Sequence, residues 1–373
     1  MMEVTNPFIL SGYVSPDYFC DRKEETAQLV AALRNGRNLT LISPRRMGKT
    51  GLIRHVFHEM GKAKDTLCYY VDLYQTDSLA SLVKKLGDVV LGSLDTTEAK
   101  IVKRVSTFFK SLRPVISIDP MTGTPSFSID IQPALAERSL AEIFDYMQQG
   151  GKRCYVAFDE FQTVTEYADK NVEALLRAHI QHLTNVHFIF SGSQRHVLEN
   201  MFVSASRPFY QSTQMMNLAC ISPQAYEAFA QEKLSGHGQQ MAPGAFDHLY
   251  QALAGHTWYV QMALNRLYEL GKAQLTADDV DLMLRTIVAE NEATYHTFLH
   301  LITPAQGRLL RAVAHEGTAR EILGQTFITT YRLGATSTIK SATKVLVDKE
   351  LLLQDDDAYQ VYDRFFAIWL SQS

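Results

Sequence analysis

The chain has 373 residues, too many for one ordinary core, and this length favours two or three domains. Hydrophobic residues make up 46% and charged residues 20%, with 20 Gly, 11 Pro and 4 Cys; this excludes a disordered, collagen-like or disulfide-stapled chain. The 36 Lys+Arg against 40 Asp+Glu leave a net charge of -4, so no global positive field draws in nucleic acid or an anionic membrane, and any DNA contact has to be local.

In chain order, a helical pattern over residues 24–33 precedes an apolar run at 38–42, and helix 51–60 precedes a second run at 68–73. Helix 78–94, helix 139–149, a run at 154–158, helix 171–183 and a run at 186–190 follow. The four runs are short and rich in β-branched or aromatic residues, and helix-length crossovers separate them, which predicts a parallel sheet of the α/β class. Between them, VISIDPMTGTPSFSIDI over 115–131 alternates on both sides of a Gly-containing turn and predicts an inserted β-hairpin at about 113–132. Lys100, Lys103, Arg104, Lys110 and Arg113 form a basic stretch before it, read as a solvated face with a partner or nucleic-acid surface as the alternative.

After about residue 218 the sheet-like runs stop, and four helical patterns open at Ser222-Pro223 as cap and first helical residue. From residue 301 the pattern changes again: a helix from Thr303, a helix near Arg320, a helix over 337–349, two short strands within LLLQDDDAYQVY, and an amphipathic helix over 363–370. Helices with a terminal hairpin outline a winged helix. The expected domains are therefore an α/β core over 1–218, a helical lid over 219–300 and a winged helix over 301–373. The cysteines Cys20, Cys68, Cys154 and Cys220 show no CxxC or zinc spacing, which fits a reducing compartment. The first residues lack a basic, apolar leader, and no apolar run reaches about 18 residues. A cytoplasmic protein without a membrane span is expected.

The chemistry concentrates at two strand ends. The run at 38–42 leads directly into Ser43-Pro44-Arg45-Arg46-Met47-Gly48-Lys49-Thr50-Gly51 and a helix, an arrangement in which loop N–H groups and the positive helix end converge on one anion. Lys49 is placed to reach the β and γ phosphates of a nucleotide and the Thr50 hydroxyl to bind Mg²⁺. Ser43 stands where the pattern GxxxxGK[ST] has its first glycine. The other Gly-Lys pairs, at residues 61, 151 and 271, carry no following hydroxyl and no preceding strand, and read as helix ends or turns. At the end of the run 154–158 stands Asp159-Glu160, where parallel sheets bind ligands; Asp159 is the candidate to hold Mg²⁺ and Glu160 to activate the attacking water. Ser191 and Ser193, ending HFIFSGS, are candidate phosphate sensors or helix caps. Arg195 and Arg207 are candidate γ-phosphate contacts or surface ion pairs, and Arg45 and Arg46 add cations within the loop. The histidine pairs 55/58, 179/182 and 296/300 have metal spacing but no third ligand, so they are read as structural. The Met215-Met216 pair reads as packing.

The segments PRRMGKT after NPF and FCDR, then FDEFQ, FSGS, GHTWYVQ and YDRFFAIWL, in that order from Asn6 to Leu370, resemble the archaeal-type P-loop ATPases, a signal-transducing branch related to AAA proteins and origin-recognition ATPases. The resemblance implies a P-loop NTPase core, a helical lid, a C-terminal winged helix, and ATP/ADP with Mg²⁺ as ligands. It also implies an adenine-side role for Arg22, and a lid motif that stands here as Gly255-His256-Thr257. The expected activity is Mg-dependent ATP hydrolysis by Glu160 and Lys49, working as a nucleotide-controlled switch. A nucleotide-regulated DNA-binding module and a non-hydrolysing scaffold are the alternatives. A protein partner is expected. Direct DNA contact through Arg332, Ser337, Thr338, Lys340, Ser341 and Lys344 is set against a winged-helix segment with eight Lys+Arg, eight Asp+Glu and an acidic 355–357 turn.

Overall fold

The computed structural model describes residues 5–92, 109–118, 125–355 and 357–372. They divide into two compact units: Gly12–Ala219, and residues 5–11 together with 220–372.

The unit Gly12–Ala219 runs α1 (Lys23–Arg34), β1 (Leu39–Ile42), α2 (Lys49–Met60), β2 (Thr66–Asp72), α3 (Leu79–Gly92), β3 (Leu112–Ile118), β4 (Pro125–Ile131), α4 (Ala136–Gln149), β5 (Arg153–Asp159), α5 (Val172–Ile180), β6 (Val186–Gly192), α6 (Arg195–Val203) and β7 (Gln214–Asn217). Five strands form a parallel sheet in the order β2-β5-β6-β1-β7. Helices cover both faces, so the strands must be apolar on both sides, and successive side chains divide between two cores. Tyr155 and Ala157 join Leu39, Leu41, Leu52 and Val56 in one core; Cys154, Val156 and Phe158 join Phe161, Phe188, Phe190, Phe202 and Phe209 in the other. Burying each such ring fully is worth roughly 1.5–3 kcal/mol, which makes the aromatic side the principal anchor of β5 and β6.

The four expected strands form, and a fifth joins them. Met215 and Met216 do more than pack: they lie in β7, where Leu41 pairs with Met216. Its four residues have no alternation, so its strand state comes from pairing with β1 rather than from local pattern. The hairpin β3-β4 is antiparallel and docks on α3: the Ile129 N–H donates to Asp88 Oδ1 at 2.8 Å, and Ile129 packs over Gly87, where an added Cβ would collide with it. Its turn at 119–124, the last two residues of the expected helix 78–94, and Lys100, Lys103 and Arg104 lie outside the described residues; Lys110 and Arg113 are described.

The other unit contains α7 (Pro223–Ser235), β8 (Gln240–Met241), α8 (Ala245–Ala252), α9 (Thr257–Glu269), β9 (Gln274–Leu275) and α10 (Ala277–His300). It continues through α11 (Pro304–Glu316), β10 (Ala319–Arg320), α12 (Gln325–Tyr331), α13 (Thr336–Asp348), β11 (Leu352–Asp355), β12 (Ala358–Val361) and α14 (Arg364–Gln372). Ser222 caps α7 by accepting from the Ala225 N–H at 3.2 Å, and Thr276 and Thr303 form capping boxes at α10 and α11. A winged helix is present, with one correction to the expected elements. Arg320 is not helical: it lies in β10, paired with Ala358 of β12 in a three-stranded sheet, and the helix starts only at Gln325. Long-range pairing overrides the local pattern there.

The winged helix shares a core with the preceding helices. Tyr295 and Phe298 of α10 pack on Phe366 of α14, and Tyr295 also packs on Trp369, while Tyr259 of α9 meets Phe365 edge-on. Residues 5–11 belong here too: the Asn6 and Asn265 amides donate to the carbonyls of Asn265 and Phe8 at 3.0 and 2.8 Å, with Phe8 buried against Phe229 and Tyr268. No described helix is long and apolar enough to cross a membrane.

Candidate functional site

Interposing β6 between β1 and β5 brings three strand ends together. The register pairs Ile42 with Gly192 and Phe158 with Phe190, so the loop after β1, the Asp159-Glu160 pair and the Ser191–Ser193 segment meet at the carboxyl edge of the sheet. This is where an open parallel sheet presents a crevice.

The loop 43–48 turns sharply into α2. Gly48, the N-cap, has φ +91, a conformation that costs other residues dearly. The first N–H groups of α2 have no partner within the helix and aim its positive end outward. Lys49 folds back over the loop: its Nζ donates to the carbonyls of Ser43 at 2.8 Å and Pro44 at 3.0 Å, and to Ser43 Oγ at 3.3 Å. Ser43, the departure from the glycine pattern, thus supplies two of the acceptors. Burial pushes the Lys49 ammonium down to about 8 against the opposing pull of Glu160 and Asp159, because desolvation disfavours the charged form.

The carboxylates are anchored differently. Asp159 is buried and its Oδ2 accepts from Thr50 Oγ1 at 2.7 Å and from the Tyr70 hydroxyl at 2.6 Å. Burial first, and Asp159 second, raise the Tyr70 phenol above its ordinary range, and Arg54 of α2 stacks over its ring at 4.0 Å. Glu160 sits in the left-handed region at φ +52, a strain of order 1–3 kcal/mol that recurs at functional sites. Its Oε2 accepts from Ser193 Oγ at 2.9 Å and from Gln162 Nε2. Arg45 Nε in turn donates to Ser193 Oγ at 3.1 Å, linking the phosphate loop to Glu160 through one hydroxyl.

The remaining expected residues divide. Met47 is buried, while Arg46 has φ +66. Gly51 lies in the first turn of α2 and an added Cβ there would touch Phe19. Ser191 is fully buried, and its Oγ has no hydrogen-bond partner among the described residues. Arg195 opens α6 and pairs with Glu199 at 2.8 Å; Arg207 pairs with Glu173 of α5, whose carboxyl is raised by burial against the opposing pull of Arg207. Arg22 is buried. Its guanidinium binds Glu25 at 2.8 Å, the Ala219 carbonyl at 2.7 Å and the Met47 carbonyl at 3.2 Å, so it braces the phosphate loop from behind.

Sequence reasoning alone misses Tyr70 and Gln162. Tyr70 lies within an apolar run and nothing local marks its hydroxyl; Gln162 lies inside the FDEFQ segment, where its distance of two residues from Glu160 is the available signal.

A family model described as an ATPase domain predominantly from Archaea matches residues 19–262. The chain belongs to this archaeal ATPase family. A second model, of a probable winged helix domain, matches residues 293–372. Among solved structures this member of the archaeal ATPase family is similar to a Walker-type ATPase of Pyrococcus abyssi, with 17% identity, TM-score 0.66 and coverage of 98% of this chain and 99% of that one. It is also similar to the Aeropyrum pernix ORC2 protein in ADPNP-ADP complexes, with 14% identity, TM-score 0.59 and coverage of 98% and 95%. The Aeropyrum pernix ORC1 protein in complex with DNA gives 12%, 0.52, 99% and 97%. At these identities the likenesses establish the fold. No curated protein sequence matches the chain.

Proposed function

We propose that this archaeal-type ATPase hydrolyses ATP in a Mg²⁺-dependent reaction that sets a nucleotide-controlled switch. The observation that carries the reading is the convergence of Lys49, Thr50, Asp159 and Glu160 at one edge of the parallel sheet. Thr50 Oγ1 and Asp159 Oδ2, 2.7 Å apart, are hard oxygen donors that fit Mg²⁺. Among the described residues no group of three or more His, Cys, Asp or Glu is arranged as a metal cage, which suits an ion that takes one or two protein oxygens and completes its shell with phosphate and water. When bound, the ion would neutralise phosphate charge at Thr50 and Asp159.

Lys49 exchanges the Ser43 and Pro44 carbonyls for phosphate oxygens, a stronger charge-assisted contact. The N–H groups of the loop and of the first turn of α2 receive the same phosphates. Glu160 takes the proton of the water that attacks the γ-phosphorus. Ser193, just after β6, reaches this chemistry through Glu160, Ser191 within β6 is buried with no hydroxyl partner among the described residues, and Arg22 maintains the shape of the loop. Measured Mg-ATP turnover tests the reading: Glu160→Gln is expected to bind nucleotide as tightly as wild type and to lose roughly 100-fold or more in kcat. Equal turnover in both proteins would remove Glu160 from its role.

A second reading, nucleotide-regulated DNA binding, is supported by one face of the winged helix. Ser337, Thr338, Lys340, Ser341 and Lys344 are exposed on α13, with Arg332 just before it, opposite the buried Ile339, Ala342, Thr343 and Leu346. The wing opposes it, since Arg320 is already paired with Asp357 at 2.6 Å. On this reading the full-length protein shifts duplex DNA in a salt-dependent way, and replacing Lys340 and Lys344 by Ala lowers the log-log salt slope by about one for each phosphate that these lysines neutralise.

A further inference from the structure

The Glu160 carboxylate is gripped on one oxygen only. Ser193 Oγ and Gln162 Nε2 both donate to Oε2, and among the described residues no hydrogen bond reaches Oε1. The direction of the Ser193 bond is fixed: Arg45 Nε occupies its oxygen as a donor, so the single hydroxyl proton must point at Glu160. The direction of the Gln162 bond is fixed as well, because a carboxylate can only accept. Gln162 is buried, and its Oε1 lies against Gly192 without a donor; a Cβ added at Gly192 would occupy the place of that oxygen. The absence of a side chain at 192 is therefore what lets the amide lie beneath Glu160. The backbone is held too, with the Glu160 N–H on Asp159 Oδ1 at 3.1 Å and the Glu160 carbonyl accepting from the Thr163 N–H at 3.0 Å.

We propose that Gln162 and Ser193 are positioning residues for ATP hydrolysis, which together turn Glu160 so that its Oε2 is saturated by donors and its Oε1 alone is presented to the attacking water. The proposal rests on the general-base reading of Glu160. Arg45 extends the arrangement to the phosphate loop: a phosphate that draws the guanidinium away weakens its hold on the Ser193 oxygen, so loop occupancy and the setting of the base are connected through one hydroxyl.

Turnover and nucleotide affinity measured for the full-length wild type, Gln162→Met, Ser193→Ala, Ser193→Thr and Glu160→Gln test this. Gln162→Met keeps side-chain volume but cannot donate, and is expected to lower kcat about tenfold with KM for ATP within about twofold. Ser193→Ala lowers kcat by less, again with KM nearly unchanged, and Ser193→Thr, which retains the hydroxyl, restores kcat. A purely structural role would change KM along with kcat and would not be rescued by the returned hydroxyl. Wild-type kcat in Gln162→Met and Ser193→Ala overturns the proposal while leaving Glu160 as base. Full turnover in Glu160→Gln, or none in the wild type, overturns the base reading and this proposal with it. If Gln162→Met fails to fold, the Ser193 pair decides.

Discussion

Lys49 in the unit Gly12–Ala219 and Arg364 in the other unit are both buried cations, 6% and 4% exposed, yet their surroundings differ in kind. Lys49 donates to loop carbonyls and a hydroxyl, with the carboxylates of Asp159 and Glu160 near enough to favour its charge. Arg364 donates to Gln360 and to His256 Nε2, the latter at 3.1 Å, while its Nε and His256 Nδ1 have no partner among the described residues. Burial lowers Arg364 to about 10 and His256 to about 3. The contrast separates a cation resting on neutral loop oxygens beside two carboxylates from one built in as a joint. On the proposed function the neutral acceptors of Lys49 are what a phosphate would replace, whereas Arg364 ties the start of α14 to the start of α9 within a wall of aromatic rings.

That comparison is broken or sharpened by three measurements. The largest effect is expected at Lys49: Lys49→Ala should weaken nucleotide binding by roughly 100-fold or more, read by equilibrium titration, and unchanged affinity would mean that phosphate does not replace the lysine's acceptors. Next, Arg364→Ala should destabilise the protein by about 2–4 kcal/mol in denaturant unfolding, because it leaves a cavity and strands the groups it bonded. A fall in nucleotide affinity as deep as that of Lys49→Ala would erase the distinction between the two. The smallest is a pH effect. Folded His256 stays neutral down to about 3 whereas its ordinary value is 6.5, so between these the unfolded chain binds more protons and stability rises with pH. As pH falls below 6.5 the protein should lose up to about 1.4 kcal/mol per pH unit, and His256→Gln should flatten that slope in melts between about pH 7 and about pH 5.

Much of this is legible in sequence because it is local. Strand, loop, Gly48-Lys49-Thr50 and helix are contiguous, and Asp159-Glu160 ends an apolar run whose length permits little except a buried strand. What stays hidden is set by partners far along the chain. β7 is four residues with no periodicity, Arg320 becomes a strand only by meeting Ala358, and Tyr70 gains its meaning from Asp159 across the sheet. Resemblance points Arg22 toward the adenine side, and its bonds to the carbonyls of Met47 and Ala219 are a separate feature; no pattern within FCDR announces a partner as distant as Ala219. Ser43 reads in sequence as a glycine replaced, and only the folded loop displays its carbonyl and hydroxyl as the acceptors for Lys49.

The reciprocal amides of Asn6 and Asn265 also impose an order of events on biosynthesis. Residues 5–11 are synthesised some 260 residues before their partners on α9, which at about 5–20 residues per second is a wait of roughly ten to fifty seconds. During that interval the strands of the parallel sheet are all delivered, while Phe8 still lacks Asn265 and Tyr268 of α9. The nascent chain therefore carries an uncovered aromatic ring until α9 emerges, a feature on which a chaperone can act.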